Sequence, residues 1–132
     1  QIAKGTLNII SYRLPYKALS ETPKLKEIIS ARDSICKLYI PGRLQGTYMI
    51  TEKDYRPYFY KLNIGKKIIY ETKGVWEVQN DFMGGPFINY VLKDKKSGEW
   101  VVVEGFAFAP SISKREYMFE LNSILSTISI NN

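Results

Sequence analysis

The spacing of apolar positions changes period along this chain, and each change predicts an element. Gly5 to Leu14 (GTLNIISYRL) mixes Ile, Leu and Tyr without helical spacing and is closed by Pro15, which reads as a first strand. Leu25, Ile28, Ile29, Arg32, Ile35, Cys36 and Tyr39 then recur at three- and four-residue intervals. They predict a helix opened by Thr22 and Pro23, where proline loses nothing at the first position, and ended by Pro41-Gly42. From Gln45 the period becomes strand-like. Residues 46–51 form a short strand, and residues 55–64 alternate Tyr58, Tyr60, Leu62 and Ile64 against Pro57, Phe59, Lys61 and Asn63, predicting one apolar face. Pro57 has no N–H to give a ladder, so that strand lies at an edge or begins there. Lys67 to Val78 is a long strand with a bulge expected at Gly74.

Phe87 to Lys93 pairs with Glu99 to Ala109 across a polar turn at 95–98. The second of these is apolar on both faces except at Glu104, the pattern of a central strand covered on each side, and Gly105 is expected to admit a side chain from a helix. Ser113 followed by Glu116 is a capping box, opening a terminal helix with Tyr117, Met118, Leu121, Ile124, Leu125 and Ile128 as its stripe. The resulting order, β-α-β-β-β-β-β-α, predicts an α+β fold: an antiparallel sheet of about five to six strands with two amphipathic helices packed on it.

Length adds that all 132 residues belong to a single domain. The chain begins at Gln1 with neither a charged-then-apolar leader nor an apolar run of about 18 residues, so a fragment or processed part of a longer chain is expected. A formal charge of +6 favours encounters with polyanions. Yet Lys66, Lys67, Lys93, Lys95, Lys96, Lys114 and Arg115 sit at predicted turns and helix starts, as solvated groups do, and no nucleic acid partner is expected. Cys36 is alone and on the helix stripe, a small buried hydrophobe with no disulfide to make. The absence of histidine removes the commonest general base and the commonest metal ligand. No metal, no cofactor and no catalytic group is expected.

The stretch with the most candidate chemistry is Gly74 to Tyr90, GVWEVQNDFMGGPFINY. A hairpin turn needs only about two to five residues of Asn, Asp or Gly. Trp76, Phe82 and Met83, with Asp81 beside them, therefore carry more apolar surface than bending requires: either they meet a partner or they cover the open end of the sheet. Gly84 and Gly85 are expected at positive φ or in a tight passage. Glu104, a carboxylate among Val, Phe and Ala, would have its pKa raised by desolvation unless a cation pairs with it, and Arg13, Arg43, Arg56 and Arg115 are the candidates. Catalysis by Glu104 with Glu77 or Asp81 would need those carboxyls within about 5 to 10 Å of one another. Tyr48, Tyr55, Tyr58, Tyr60 and Tyr70, interleaved with Arg43, Arg56 and Lys61, form a face on which rings could stack.

The GVWEVQNDFMGGPFINY block, together with VVVEGFAFAP, SKREYMFELNSIL and the earlier IPGRLQGTYM, resembles an uncharacterised family of envelope lipoproteins of Bacteroidota-type bacteria. Members of that family are longer and carry a lipid-modified cysteine near their start. The resemblance implies the C-terminal part of such a protein, located in the cell envelope, periplasmic or associated with the outer membrane, and touching the membrane only through a lipid anchor absent from this chain. Taken together, these readings predict a non-catalytic envelope domain that binds or assembles with other envelope or outer-membrane proteins through the 76–86 loop. The alternative is a glycan- or small-ligand-binding module using the tyrosine-rich sheet face.

Overall fold

The structure is a computed structural model that describes residues 7–42, 45–78 and 84–108. Its elements are β1 (Leu7–Leu14), a 3-10 turn at Tyr16–Ala18, α1 (Leu25–Tyr39), β2 (Met49–Thr51), β3 (Tyr58–Ile64), β4 (Lys67–Val78), β5 (Gly84–Lys93) and β6 (Trp100–Ala107). All six strands join one antiparallel sheet in the order β1-β6-β5-β4-β2, with β3 also paired to β4. Strands β3 to β6 form a meander, and β1 closes onto the free side of β6 with Leu7 opposite Ala107 and Leu14 opposite Trp100. β2 meets β4 at 76–78 and β3 meets it at 67–73, so the two make a single edge interrupted at 52–57. Pro57, with no N–H to pair, ends that interruption, as its position at an edge requires.

The expected layering is overturned. Among the described residues the fold is mostly sheet, the sheet curls into half a barrel, and one helix packs on it where two were expected. The second helix of that expectation, from Ser113 onward, lies outside the described residues. Strand length supplies the physical reason. β4 and β5 run 12 and 10 residues, and right-handed twist accumulated along neighbours of that length coils a sheet around whatever covers it. Periodicity reports that strands exist and does not report how far they coil.

α1 starts later than Thr22-Pro23 predicts: its cap residue is Lys24. Glu27 does the capping, accepting the Lys24 N–H at 3.0 Å, the Ser20 N–H at 2.8 Å and the Ser20 hydroxyl at 2.8 Å. These contacts satisfy donors that the first helical turn leaves free and hold the Glu27 carboxyl below its ordinary pKa.

The helix lies along β4, β5 and β6, from their Tyr70–Trp100 end toward their Trp76–Phe106 end, and buries Ile28, Arg32 and Cys36 against a single face. Tyr70, Val91, Trp100 and Val102 pack there with Leu19 and Ile28, and Met49, Trp76, Val78, Phe87 and Phe106 pack there with Cys36. The opposite face carries a separate buried cluster of Ile69, Ile88, Tyr90, Leu92, Val103 and Ala107. One glycine differs from expectation. Gly74 keeps an unbroken register opposite Phe87, with no bulge; a Cβ there would lie 2.8 Å from the Phe87 ring, so glycine makes room for that ring. Gly105 pairs with Ile9 and Ile88 on the face away from α1, and the second helix expected from Ser113 onward lies outside the described residues.

Candidate functional site

Alternation along β4, β5 and β6 puts Thr72, Asn89 and Glu104 side by side on the helix-covered face, because Thr72 pairs with Asn89 and Asn89 with Glu104. Above them comes Arg32 from the middle of α1. Glu104 is 0% exposed and Arg32 1%, and the Arg32 Nε–H donates to Glu104 Oε1 at 2.8 Å. The other guanidinium nitrogens reach Thr51 Oγ1 at 3.0 Å, Asp33 Oδ1 at 3.3 Å and Met49 Sδ at 3.2 Å, and the guanidinium plane rests 3.9 Å from the centre of the Phe87 ring. Asp33 in turn accepts the Thr51 N–H and hydroxyl at 3.0 and 2.7 Å, tying α1 to β2. Burial opposes the charge on Arg32, but Glu104 and Asp33 outweigh it and leave its pKa raised. The centre is thus a charge-balanced clasp between helix and sheet.

This geometry decides two expectations about Glu104. Its cation is Arg32, from the helix stripe, and not Arg13 or Arg56; Arg43 and Arg115 lie outside the described residues. Arg13 instead bridges Asp94 and Glu99 at the exposed β5–β6 turn, at 3.1 and 3.3 Å. Nor does Glu104 form a carboxylate pair with Glu77. Glu77 stands five residues from Thr72 on β4 and therefore points to the opposite face. Cys36, buried beside this centre, has its thiol pushed up to about 12 by burial, with Glu104 and Asp33 adding to the effect and Arg32 opposing it, so it holds no reactive thiolate.

Past the last turn of α1 a cleft opens over the same sheet face among the described residues. There Ile40, Pro41 and Gly42 face Met49, Trp76, Val78, Phe106 and Phe108 across a mostly apolar cleft of about 150 Å³, with Asn8 at its rim. Trp76 forms its floor. The side chain is only 4% exposed, its indole N–H donates to the Ala107 carbonyl at 2.9 Å, and its ring meets Phe106 edge to face.

The 76–86 stretch is not one loop. Trp76 lies inside β4 and pairs with Gly85, while Gly84, Gly85 and Pro86 belong to β5, so five residues, 79–83, connect the strands. That is an ordinary hairpin length. Asp81, Phe82 and Met83 lie outside the described residues. The positive-φ glycines among those described are Gly46, Gly65 and Gly98, not Gly84 or Gly85. Gly84 is instead a tight passage, since a Cβ there would lie 2.8 Å from the Trp76 carbonyl oxygen.

The tyrosine face also differs from expectation. Phe59 turns inward and stacks on Tyr70 at 6.1 Å, so Tyr58, Tyr60 and Ile64 lie on the open side of β3. Tyr58 and Tyr60 are 56% and 49% exposed, with near-parallel rings 6.4 Å apart. Beside them on β4 stand Lys73 and Glu71, and Glu71 accepts the Tyr90 hydroxyl at 2.6 Å. Tyr70, by contrast, is buried in the core. Among the described residues no group of three or more Cys, Asp or Glu stands together as metal ligands do, and no helix is long and apolar enough to cross a membrane.

The family described as Domain of unknown function (DUF4837) matches residues 1–127. The chain belongs to the DUF4837 family. Among curated proteins and among solved structures, none matches it. Within this DUF4837 domain, the residues that pattern reading passed over are Arg32, Asn89, Thr51 and Asp33. The signal for the first was present: an arginine four residues after Ile28 and four before Cys36 sits on the buried stripe, where a charge demands a partner. Asn89, inside the apolar run FINYVL, is the matching signal on the sheet.

Proposed function

We propose that this domain is a non-catalytic binding module of the bacterial cell envelope, which assembles with another envelope protein through the open end of its sheet. The observation that carries this reading is the apolar cleft over Trp76. It lies where α1 has ended and directly beside the strand ends, Val78 and Gly84, that bear the 79–83 connection. A cleft of about 150 Å³ accepts one large apolar side chain, the kind of anchor that concentrates binding energy at protein interfaces. The sequence of the 79–83 connection adds the apolar residues Phe82 and Met83 to the proposed contact. Glu104, the residue with the most obvious catalytic potential, is enclosed and occupied by Arg32, which favours binding over chemistry. The placement in a Bacteroidota-type envelope, with a lipid anchor outside this chain, rests on the motif resemblance.

The test is recovery of a partner from cross-linked native envelopes, quantified by mass spectrometry for the wild-type domain, for Asn8→Trp at the cleft rim and for Met83→Asp. Both variants are expected to lose the partner at least about tenfold while keeping the wild-type melting temperature within a few degrees. Equal recovery from all three proteins overturns the reading.

The exposed, parallel Tyr58 and Tyr60 rings favour a second reading, a platform for sugar rings with Glu71 and Lys73 as hydrogen-bonding neighbours. Calorimetric titration with soluble peptidoglycan fragments tests it. Binding that Tyr60→Ala abolishes supports it, and no heat from the wild type removes it.

A further inference from the structure

Among the described residues, three buried side-chain polar atoms have no hydrogen-bond partner: Thr72 Oγ1, Asn89 Oδ1 and Glu104 Oε2. They are not scattered. Their residues are register partners on adjacent strands β4, β5 and β6, all on the face beneath α1, and the relative exposures of the three residues are all 0%. An enclosed polar atom left unpaired costs about 1 to 3 kcal/mol. A row of such atoms is therefore either a large cost or a binding site.

From this arrangement we infer an internal site for water, on the order of one or two ordered molecules, held between α1 and the sheet floor. Donor and acceptor counting selects the ligand. Asn89 has committed an amide hydrogen to Glu104 Oε1 at 2.9 Å, so its Oδ1 is an acceptor seeking a donor. Glu104 has committed Oε1 to Arg32 and Asn89, so Oε2 is a second acceptor seeking a donor. Thr72 contributes a hydroxyl that can donate. A water molecule donates twice and accepts, which matches two acceptors and one hydroxyl donor. A metal cation cannot donate to either acceptor through hydrogen. It would also add a positive charge to a centre in which Arg32 already balances Glu104, and an unbalanced charge in the interior is the costly case. The competitor is Tyr12, whose phenol pKa is raised by burial and by the Glu104 charge and drawn back by a side-chain hydrogen bond with Asn89. The site gives the clasp a further role: bound water completes the polar row from β4 to β6 and fixes the register at which α1 docks.

A crystal structure at a resolution that shows ordered solvent tests this on the wild-type protein, grown once from sodium and once from potassium salts. The expected result is a density peak within hydrogen-bond distance of at least two of the three atoms, unchanged between the salts. Oxygen-17 relaxation dispersion in solution is expected to count a long-lived water that Asn89→Leu loses. A dry site in which the Tyr12 hydroxyl contacts Glu104 Oε2 or Asn89 Oδ1 directly overturns the inference. So does a peak that gains electrons in potassium, or a long-lived water count unchanged in a folded Asn89→Leu protein.

Discussion

Two regions of one sheet face, both beneath or beside α1, are built on opposite plans. Under the middle of the helix, Arg32 fills the space between layers and brings a charge that Glu104 balances. One helix end away, at Tyr39, the chain turns off through Ile40 and Pro41, and a cleft lies over the buried Trp76, Val78 and Phe106. A helix of 15 residues spans about 22 Å, and the difference between the regions is where that length runs out. The charged region is sealed, while the apolar region, though its floor of Trp76, Val78 and Phe106 is buried, has a cleft above it rimmed by exposed Asn8 and Pro41. That contrast points to specificity in the clasp, which sets how α1 lies, and to recognition at the cleft.

The strongest way to break the comparison is to unbalance the clasp. Arg32→Ala leaves Glu104 enclosed without its cation, a loss of about 3 to 5 kcal/mol, expected as a fall in melting temperature on the order of 10 °C or more. Replacing both partners, Arg32→Met with Glu104→Leu, is expected to recover most of that loss. A double variant as unstable as the single one would show that the pair is worth more than its shape. Next in size is Gly74→Ala, which drives a Cβ to 2.8 Å from the Phe87 ring and so disturbs the surface on which the Arg32 guanidinium rests. Overpacking of that kind costs about 1 to 3 kcal/mol, readable in urea denaturation. A neutral result would mean that the ring moves freely and that the clasp does not depend on it.

What was legible in advance follows from what each signal measures. The span of β4 from Lys67 to Val78 could be read from β-branched and aromatic residues between turn signals, and the helical spacing from Leu25 to Tyr39 located α1. Curling could not be read, because it depends on how twist accumulates between neighbours. The face of β3 was misassigned for a related reason. Tyr58, Tyr60, Leu62 and Ile64 are the more apolar set, yet the inward direction is fixed by where α1 lies, and Phe59 alone meets Tyr70. At the candidate site, Trp76 and Glu104 were visible as anomalies of composition. The partner of Glu104 was not, since residues 72 positions apart meet only through the tertiary fold.

The cleft sharpens the comparison with a smaller stability effect. Asn8→Trp places a ring at the rim of the apolar region without touching the clasp, and a change at an exposed position is expected to alter stability by about 0.5 kcal/mol or less. Tyr60→Ala on the open side of β3 should be equally mild. Thermal melts that instead show Asn8→Trp unfolding as early as Arg32→Ala would mean that the cleft is part of the core and has no room for a partner.

The smallest expected effects separate two carboxylates by sign. Glu27, held by the Ser20 and Lys24 N–H groups and the Ser20 hydroxyl, has a pKa below its ordinary 4.5. The folded state therefore favours its ionised form, and the stability it contributes is complete above 4.5 and lost as pH falls through the lowered folded value. Glu77 has its pKa raised, first by burial and then by the negative charges of Glu52 and Asp54. Its ionised form opposes folding, so that penalty is present at neutral pH, shrinks as pH falls through the raised value and is gone below 4.5. Glu27→Gln should destabilise at neutral pH, and its difference from wild type should close only below 4.5. Glu77→Gln should stabilise at neutral pH, with its difference closing above 4.5. Chemical denaturation across an acid series distinguishes them, and two differences that closed in the same pH window would show that the capping contacts of Glu27 and the crowding of Glu77 are not the causes of these shifts.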